Sequence, residues 1–358
     1  MTVTSLKRSE KTPTTLFSHE GMSEVVHVME SLCRGPTSCA LGDIAVEHLT
    51  TGGKRIRGRL VLAAVDALGG RTEDAIAWAA AVELVHNASL IHDDLEDGDE
   101  QRRGQPTVWV KHGVAQAINA GDLMLSLPYR AAAFVPASDQ TRWRLCGSLA
   151  NAVEQMSRGQ SGELGMLDQL RRDEELEAAY IRTAHQKTGA LFASLVEGAA
   201  LLSGMSWEQA ERLGRTYLDL GLLFQMQDDV LDLFGDKGRG QRGNDLREGK
   251  VSALVVEHVK RYPHDRDWMF SVLSTARAQT PERIVQEAIV RFEDAGALDE
   301  CLRRIRELAE RLVLDAERFG NRAFADLTEE LVQLVVAPIA EYLPSEPAAA
   351  VALAHAQA

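Results

Sequence analysis

Hydrophobic residues recur along most of this chain three and four positions apart, the spacing that lines one face of an α-helix. The pattern breaks at glycine, proline and small polar residues, where helices usually begin or end. Alternating strand patterns and hairpin turns are missing, so the predicted fold class is all-α. Ser206 and Gln209 fit a capping box at one predicted helix start. The predicted helices run from Met22 to Leu32, Leu41 to Leu49, Arg55 to Leu68, Thr72 to Glu96, Val114 to Val135, Gln140 to Leu167, Leu176 to Leu202, Ser206 to Phe234, onward from Thr280-Pro281, Leu302 to Phe319 and Ala323 to Tyr342.

The chain is expected to form one domain. Its 358 residues are enough for one large helical domain, and no linker or internal period divides them. Residues 1–20 have no apolar signal core and are predicted to be a disordered lead. Residues 344–358 are rich in alanine and are predicted to be a flexible tail. The predicted domain therefore spans residues 21–343.

Composition and charge narrow the class of function. The 53 acidic and 39 basic residues give a formal net charge of −14, which argues against a nucleic-acid-binding surface. No apolar run approaches the length of a transmembrane helix, so none is expected. The four cysteines form no Cys-x-x-Cys pair and are expected to be reduced thiols of a cytoplasmic protein: Cys33, Cys39, Cys146 and Cys301.

A first acidic motif stands at the end of a long apolar helix. Asp93, Asp94 and Asp97 are three and four residues apart, so we expect their carboxylates on about the same side. Burying three carboxylates without a cation is costly, and a hard divalent metal relieves that cost. Arg102 and Arg103 follow directly and add two guanidinium groups. This combination indicates a polyanionic ligand, most simply a diphosphate held by magnesium.

A second acidic motif repeats the first. Asp228, Asp229 and Asp232 have the same spacing and also interrupt an apolar helix. A single charged run is usually a solvated helix face. Coincidence is a poor explanation for two runs with the same spacing in apolar helices. Two such helices facing each other would form a carboxylate-walled cavity for several metal ions.

A glycine turn precedes a basic helix start. Gly52 and Gly53 are followed by Lys54 and Arg57, where free backbone amides and two cations could hold a phosphate. His86 lies two turns before the first acidic motif; alone on an apolar helix it would usually be a core histidine.

With these motifs in place, the chain resembles the trans-isoprenyl diphosphate synthases, and among them the geranylgeranyl diphosphate synthases. The resemblance covers more than half of the chain and implies one large helical bundle around a central cavity, assembled as a homodimer. It is carried by GGKRIR (52–57), HDDLEDGDEQRRG (92–104), GQ (159–160), KTG (187–189), FQMQDDVLD (224–232) and GNDLREGK (243–250).

The resemblance also implies roles for individual residues. The residues that would bind isopentenyl diphosphate are Lys54, Arg57, His86 and Arg103. Those that would bind the allylic diphosphate are Arg102, Lys187, Thr188, Gln225 and Lys250. Three Mg²⁺ ions would be held by Asp93, Asp94, Asp97, Asp228, Asp229 and Asp232. The residues implied in catalysis are Asp93, Asp94, Asp97, Arg102, Lys187, Asp228 and Lys250.

The chain departs from the family pattern shortly before Gly243, where a lysine is usual. Lys237, Arg239 and Arg242 are the nearby cations, and the sequence leaves open which one takes its place.

The implied reaction is a magnesium-dependent condensation of isopentenyl diphosphate with an allylic diphosphate. Side chains before Asp93 should face the tunnel for the growing chain. Small Ala88 and Ser89 lie one turn before it, and Leu84 and Val85 two turns before it. Because no bulky aromatic stands there, we predict geranylgeranyl diphosphate as the product, with farnesyl or longer polyprenyl chains as alternatives.

Three other classes remain as alternatives. A terpene cyclase needs no second diphosphate site, which Lys54, Arg57, His86 and Arg103 together would provide. A metal phosphohydrolase could use His92-Asp93 but leaves the second acidic motif unexplained. A non-catalytic regulatory subunit would be expected to lose aspartates, and both motifs are complete.

Overall fold

The computed structural model describes residue 16 and residues 21–37, 39–172, 175–235 and 242–343. Most of the predicted lead and the whole predicted tail lie outside these residues. Leu16 is an exception within the lead, because it is buried and its amide donates to the Glu330 carboxylate at 3.3 Å. At this residue the lead is therefore packed against the body.

The chain folds into helices around one continuous hydrophobic core, as the all-α prediction required. Their bounds are α1 Met22–Arg34, α2 Ala40–Thr50, α3 Ile56–Ala67, α4 Thr72–Glu96, α5 Val108–His112, α6 Val114–Ala133, α7 Asp139–Leu164, α8 Met166–Arg172, α9 Leu176–Ala184, α10 Ala190–Leu202, α11 Trp207–Thr216, α12 Leu218–Phe234, α13 Asn244–Arg247, α14 Ala253–Arg261, α15 Arg266–Leu273, α16 Glu282–Asp294, α17 Ala297–Arg318 and α18 Arg322–Val336. Short 3₁₀ turns cover Pro263–Asp265, Arg277–Gln279 and Ala337–Ile339.

Predicted and observed helix boundaries agree best where the sequence contains a clear start or stop signal, such as a capping box. Helix α4 has the predicted bounds, and α11 begins with the predicted capping box of Ser206 and Gln209. The predicted helix over 206–234 is instead two helices that meet at Tyr217, and the one over 140–167 ends at Gly165. Four short helices, α5, α13, α14 and α15, were not predicted.

A small hairpin also corrects the expectation that hairpin turns are missing. Strand β1 (Gln101–Arg102) pairs antiparallel with β2 (Gln105–Pro106), and Arg102 lies opposite Gln105. At the turn, Arg103 has φ 55° and Gly104 has φ 76°, a left-handed conformation that is uncommon for arginine. The hairpin folds the two arginines back towards the end of α4.

Helix α4 is the centre of the bundle and packs against α1, α3, α6 and α10. Its middle section, Trp78 to Val85, is buried on every side, as expected for a helix surrounded by others. Its indole Trp78 is fully buried, donates from Nε1 to the Leu195 carbonyl at 3.3 Å, and fills the space where a side chain at Gly198 would stand.

A π-helical turn, His185–Gly189, joins α9 to α10. Helices α7 and α12 press on it from two directions. A Cβ on Gly159 of α7 would lie 2.7 Å from the Lys187 Cα, and one on Gly221 of α12 would lie 2.9 Å from the Thr188 carbonyl carbon. Such turns are frequent at functional sites, and this one carries Lys187 and Thr188.

Candidate active site

Residues of both acidic motifs line one cavity of about 330 Å³, here called the acidic cavity. It lies between the C-terminal end of α4, the C-terminal half of α12 and the start of α14. The structure therefore brings together the two helices that the sequence pattern paired. The charged residues that line it are Asp93, Asp97, Asp99, Arg102, Glu163, Lys187, Asp228, Asp229, Asp245 and Lys250.

The first acidic motif divides between two cavities. Asp93 and Asp97 line the acidic cavity, whereas Asp94 lines a separate one and is only 2% exposed. Its Oδ1 accepts hydrogen bonds from Arg102 Nε at 2.7 Å and Nη2 at 2.6 Å. The expectation that all three carboxylates share one side is corrected here. Consecutive helical residues diverge by about 100°, which separates Asp94 from Asp93.

The second motif divides in the same way. Asp228 and Asp229 line the acidic cavity, but Asp232 does not; its carboxylate accepts from the Asp245 amide at 3.0 Å and fixes the start of α13. Asp229 is buried and accepts from the Ala253 amide at 2.6 Å, Tyr180 Oη at 2.7 Å and Gln225 Nε2 at 2.9 Å. Asp229 thus ties α12 to α9 and α14.

Burial and crowding of negative charge raise carboxyl pKa values in this cavity. Burial raises the pKa of Asp93 to about 6; Lys187 opposes the shift, and Asp97 and Glu163 add to it. Burial, with the negative charge of Asp245, raises the pKa of Asp229 to about 7. The cavity therefore holds more negative charge than its own cations neutralise.

Two lysines provide cations inside the cavity. Lys187 Nζ donates to Glu163 Oε2 at 2.5 Å, and Lys250 Nζ lies 2.9 Å from both Asp97 Oδ2 and Glu248 Oε2. Burial lowers the pKa of Lys187, but Glu163 and the first motif outweigh it, so the pKa is raised. Asp97 and Glu248 likewise outweigh burial and raise the pKa of Lys250. Both lysines are therefore charged.

Five further charged residues belong to this site but were not identified from the sequence: Asp99, Glu163, Asp245, Glu248 and Arg277. Glu163 stands one helical turn after Gly159 of the GQ motif, and Glu248 lies inside the GNDLREGK segment, so both had a signal in their neighbouring motifs. Arg277 had none. Its Nη1 lies 3.3 Å from Asp99 Oδ1 and 3.3 Å from Glu248 Oε1, which places it at the rim of the acidic cavity.

The acidic cavity contains carboxylate oxygens that could bind a metal ion. Across the described ranges, no three histidine, cysteine, aspartate or glutamate side chains converge closely enough to enclose one. The lysines and Arg102 lie among these carboxylates as their ion-pair partners. Asp93, Asp97 and Asp228 nevertheless line one cavity. Burial is the main cause of the raised pKa of Asp93, and a bound cation would offset this cost to the charged form. Hard oxygen donors of this kind suit Mg²⁺.

An apolar cavity of about 340 Å³ adjoins the acidic one and shares Leu90, Asp93 and Lys187 with it. Ser89 and Val85, two of the four residues predicted to face the product tunnel, line it. Ala88 and Leu84 do not, because they are fully buried in the core. Thr188 and Gln160 add polar atoms. The apolar walls also include residues that α4 periodicity could not reveal, because they come from other helices: Leu125, Val153, Met156, Leu164 and Leu191.

The four residues expected to bind isopentenyl diphosphate are spread over different places. Arg57 and His86 line the apolar cavity, Arg103 lines the third cavity, and Lys54 is exposed and lines none of these three. Burial lowers the pKa of Arg57 to about 10, and its guanidinium lies 4.8 Å from the Phe192 ring. Burial and nearby arginines lower the pKa of His86 well below its usual range.

The third cavity, here called the basic cavity, measures about 330 Å³ and lies between α2 and the segment from the hairpin to α5. Arg103 contacts the Gly52 carbonyl oxygen, and a Cβ on Gly53 would lie 2.6 Å from Arg103 Nη1. The glycine turn thus lets the backbone approach this guanidinium closely. The charged and histidine side chains that line the cavity are Glu47, His48, Asp94, Arg102, Arg103, Lys111 and His112.

The cation that replaces the usual lysine before Gly243 is not found among the described residues of that loop. Arg242 is exposed and does not line the acidic cavity. Lys237 and Arg239 lie outside the described residues.

Comparisons with known proteins show the family to which this chain belongs. A family model described as polyprenyl synthetase matches residues 40–291. The chain is 35% identical over 303 residues to a short chain isoprenyl diphosphate synthase of Methanothermobacter thermautotrophicus, covering 84% of this chain and 88% of the relative. It is 34% identical over 283 residues to a geranylfarnesyl diphosphate synthase of Aeropyrum pernix, covering 76% and 85%. A crystal structure of a geranylgeranyl pyrophosphate synthase matches with a TM-score of 0.79 at 26% identity, covering 88% of this chain and 97% of that one.

In the part of the chain that the structure describes, no helix combines the length and apolar character needed to cross a bilayer. The comparisons favour a synthase over the cyclase, phosphohydrolase and regulatory-subunit alternatives. Both acidic motifs, the buried lysines and the adjoining apolar cavity are what such a synthase requires. This chain belongs to the polyprenyl synthetase family and is an isoprenyl diphosphate synthase, a prenyltransferase that elongates isoprenoid chains.

Proposed function

We propose that the protein catalyses the magnesium-dependent, head-to-tail condensation of isopentenyl diphosphate with allylic diphosphates, and that its main product is geranylgeranyl diphosphate. The observation that carries this proposal is the junction of two cavities. A charged cavity suited to a diphosphate lies directly beside a cavity with apolar walls suited to a hydrocarbon chain, and Leu90, Asp93 and Lys187 line both.

Within the acidic cavity, Asp93, Asp97 and Asp228 would hold the magnesium ions. Bound magnesium would neutralise negative charge on the diphosphate leaving group. Lys187 and Lys250 line the same cavity and can bind the same diphosphate, Lys250 once its partner Asp97 engages the metal. Charge on fixed cations favours departure of the leaving group. Arg102 lines this cavity too.

The reaction then proceeds by ionisation, addition and proton loss. The allylic carbon–oxygen bond breaks, and its electron pair leaves on the diphosphate oxygen. The double bond of isopentenyl diphosphate attacks the allylic carbon, and a new carbon–carbon bond forms. The resulting cation loses a proton from the isopentenyl unit to a diphosphate oxygen, which forms the new double bond. Thr188 and Gln225 offer dipoles beside the cation, and the apolar walls exclude water.

The walls of the apolar cavity support a product longer than farnesyl. Ser89 is the residue one turn before Asp93 that faces the cavity, and it is too small to close it. Beyond it, Val85 on α4 and Leu125 on α6 continue the wall. Two of the matched proteins are named for prenyl products longer than farnesyl, namely geranylgeranyl and geranylfarnesyl diphosphate.

We also propose a cytoplasmic homodimer. Val114 and Ile118 are exposed apolar residues one turn apart at the start of α6, exposed Phe134 directly follows its end, and exposed Trp143 lies near the start of α7. Exposed large apolar residues at both ends of α6 support a protein interface that includes this helix. The four cysteines are free thiols, which agrees with a reducing compartment.

A product assay tests the proposed reaction. Purified protein is incubated with isopentenyl diphosphate, MgCl₂ and, in turn, dimethylallyl, geranyl or farnesyl diphosphate, and the dephosphorylated alcohols are sized. We expect geranylgeraniol as the dominant product, and none after magnesium is chelated. Farnesol or longer alcohols would contradict the product length alone. No product from any primer would contradict the proposed activity.

The assignment of Asp93 is tested by replacing it with asparagine. The change removes a buried negative charge with a raised pKa, so the fold should be retained, whereas kcat should fall by at least about 10²-fold because charge stabilisation of the leaving group is lost. Asp326→Asn is the matched control, since Asp326 forms an exposed ion pair with Arg322 at 2.7 Å on α18. Near-normal turnover by Asp93→Asn would refute the metal role.

A further inference from the structure

A chain of ion pairs crosses the rim of the acidic cavity. Lys250 Nζ lies 2.9 Å from Asp97 Oδ2 and 2.9 Å from Glu248 Oε2. Arg277 Nη1 lies 3.3 Å from Glu248 Oε1 and 3.3 Å from Asp99 Oδ1. The chain therefore begins and ends at the C-terminal end of α4, and Glu248 links its two cations.

The segment that carries Glu248 and Lys250 is held from outside the cavity. A Cβ on Gly249 would lie 2.6 Å from the Leu273 carbonyl oxygen, so the last residue of α15 packs against this backbone. Arg277 begins the 3₁₀ turn that follows α15, and its side chain reaches back to the same segment. Two contacts thus join the segment to the end of α15, one through the backbone and one through charge.

Glu248 restrains Lys250 unless its negative charge is offset. The Glu248 side chain is only 8% exposed, so water screens its charge weakly. In the proposed reaction Asp97 binds a metal ion, and Glu248 then remains as the carboxylate partner of Lys250. This carboxylate and the diphosphate compete for the same ammonium group. Arg277 pairs with the other oxygen of Glu248, which shares the negative charge between two cations and weakens the hold on Lys250.

We propose that Arg277 is a positioning residue for the allylic diphosphate, which acts through Glu248 to leave Lys250 available to that diphosphate. This inference rests on the proposed function, in which Lys250 binds the allylic diphosphate. Arg277 does not line the acidic cavity, so it acts from the rim and not on the substrate. Its side chain is 44% exposed, so replacing it should leave the hydrophobic core intact.

A double-mutant cycle tests whether Arg277 acts through Glu248. Arg277→Met removes the charge and keeps an unbranched side chain. Binding of inorganic diphosphate in the presence of MgCl₂ is measured by titration calorimetry. We expect about tenfold weaker binding by Arg277→Met, but little further weakening when Arg277→Met is added to Glu248→Gln, because the carboxylate that Arg277 offsets is then gone. Arg277→Lys keeps a positive charge near Glu248 and should recover most of the affinity.

Steady-state kinetics give the second readout. In Arg277→Met, kcat/KM for the allylic primer should fall about tenfold, with the KM for isopentenyl diphosphate within about twofold of wild type. Arg261→Met is the matched control. Arg261 is half-buried, pairs with Glu300 at 3.2 Å and lines none of the three cavities, so its replacement should change neither value.

The cycle separates this inference from a direct role in binding. An equal loss of affinity with and without Glu248→Gln would show that Arg277 acts on the diphosphate itself, and would overturn the inference. Wild-type binding by Arg277→Met would also overturn it, as would a loss that Asp99→Asn cancels and Glu248→Gln does not. Diphosphate binding that follows the expected cycle in a protein that forms no prenyl product would leave the inference intact and contradict the proposed function.

Discussion

Chemically identical side chains do different work in the two acidic motifs. Asp93, Asp97 and Asp228 face the acidic cavity, whereas Asp94 and Asp232 hold Arg102 and the start of α13. Spacing along a helix fixes only an angular position, and the element that packs against that position decides its role. Sequence reasoning therefore brought these carboxylates together but could not divide them between those that face the cavity and those that hold neighbouring segments.

Glu197 gives a prediction at the residue scale, away from the catalytic cavities. Burial raises its pKa from 4.5 to about 7; Ser148 opposes the shift and Glu211 adds to it. Its Oε1 is buried and has no hydrogen-bond partner among the described residues. The unfolded chain ionises this group near its ordinary pKa, whereas the folded protein keeps it protonated until near pH 7. Folding stability contributed by this group is therefore lost as pH rises from about 4.5 to 7.

We expect Glu197→Gln to match wild type near pH 4.5 and to be more stable at pH 8, by on the order of 1–3 kcal/mol. Urea unfolding of both proteins at the two pH values measures the difference. Glu30→Gln on α1, whose partner Arg34 lies 3.0 Å away, serves as the control with little pH dependence. A stability difference that is equal at both pH values would show that Glu197 does not titrate as described.

At the scale of elements, three glycines allow neighbouring helices to pack closely against the π-helical turn, and this packing positions the turn. Gly159 and Gly221 let α7 and α12 reach the backbone of Lys187 and Thr188, and Gly189 itself lies against Leu218, where a Cβ would be 2.7 Å from the carbonyl oxygen. The sequence contained these glycines within its motifs. The need for glycine at these positions follows only from how the helices pack, because the contacts join residues far apart in the chain.

Gly159→Ala should move Lys187 away from the acidic cavity. The new Cβ overlaps backbone atoms, which cannot rotate aside as a flexible side chain can. We expect at least about a tenfold loss of kcat/KM and reduced stability. Gly147→Ala on the same helix is the matched control, since nothing lies within 4 Å of its added Cβ. Alanine there should stabilise the helix by about 0.5–1 kcal/mol and leave activity unchanged.

Whole-molecule architecture decides which residues face the product. From the periodicity of α4 we predicted that Ala88 and Ser89 both face the product tunnel. In the structure, the apolar cavity lies on only one side of α4, between that helix and residues of α6 and α7. Ser89 faces the cavity and Ala88 packs into the core. The all-α class and the course of α4 could be predicted from local patterns. The cavity walls that face α4 could not be predicted in this way, because they depend on packing between segments distant in the chain.

This difference predicts distinct outcomes for two neighbouring substitutions. Ser89→Phe should fill the apolar cavity and shift the product towards farnesyl diphosphate with little effect on stability. Ala88→Phe should overpack the core, cost about 1–3 kcal/mol or more, and leave the product length of the folded fraction unchanged. Product sizing and urea unfolding of both variants measure these effects. A product shift caused by Ala88→Phe alone would contradict the assigned wall.

The position of α4 as a common wall of all three cavities also limits how such a protein can evolve. Asp93 and Asp94 serve different cavities only because they are adjacent on one helix. Inserting or deleting a single residue between Val85 and Asp93 would rotate one end of α4 against the other by about 100°. The cavities would then exchange or lose their residues. On this helix, changes in product length must therefore arise by substitution, and we expect insertions and deletions in the loops around it.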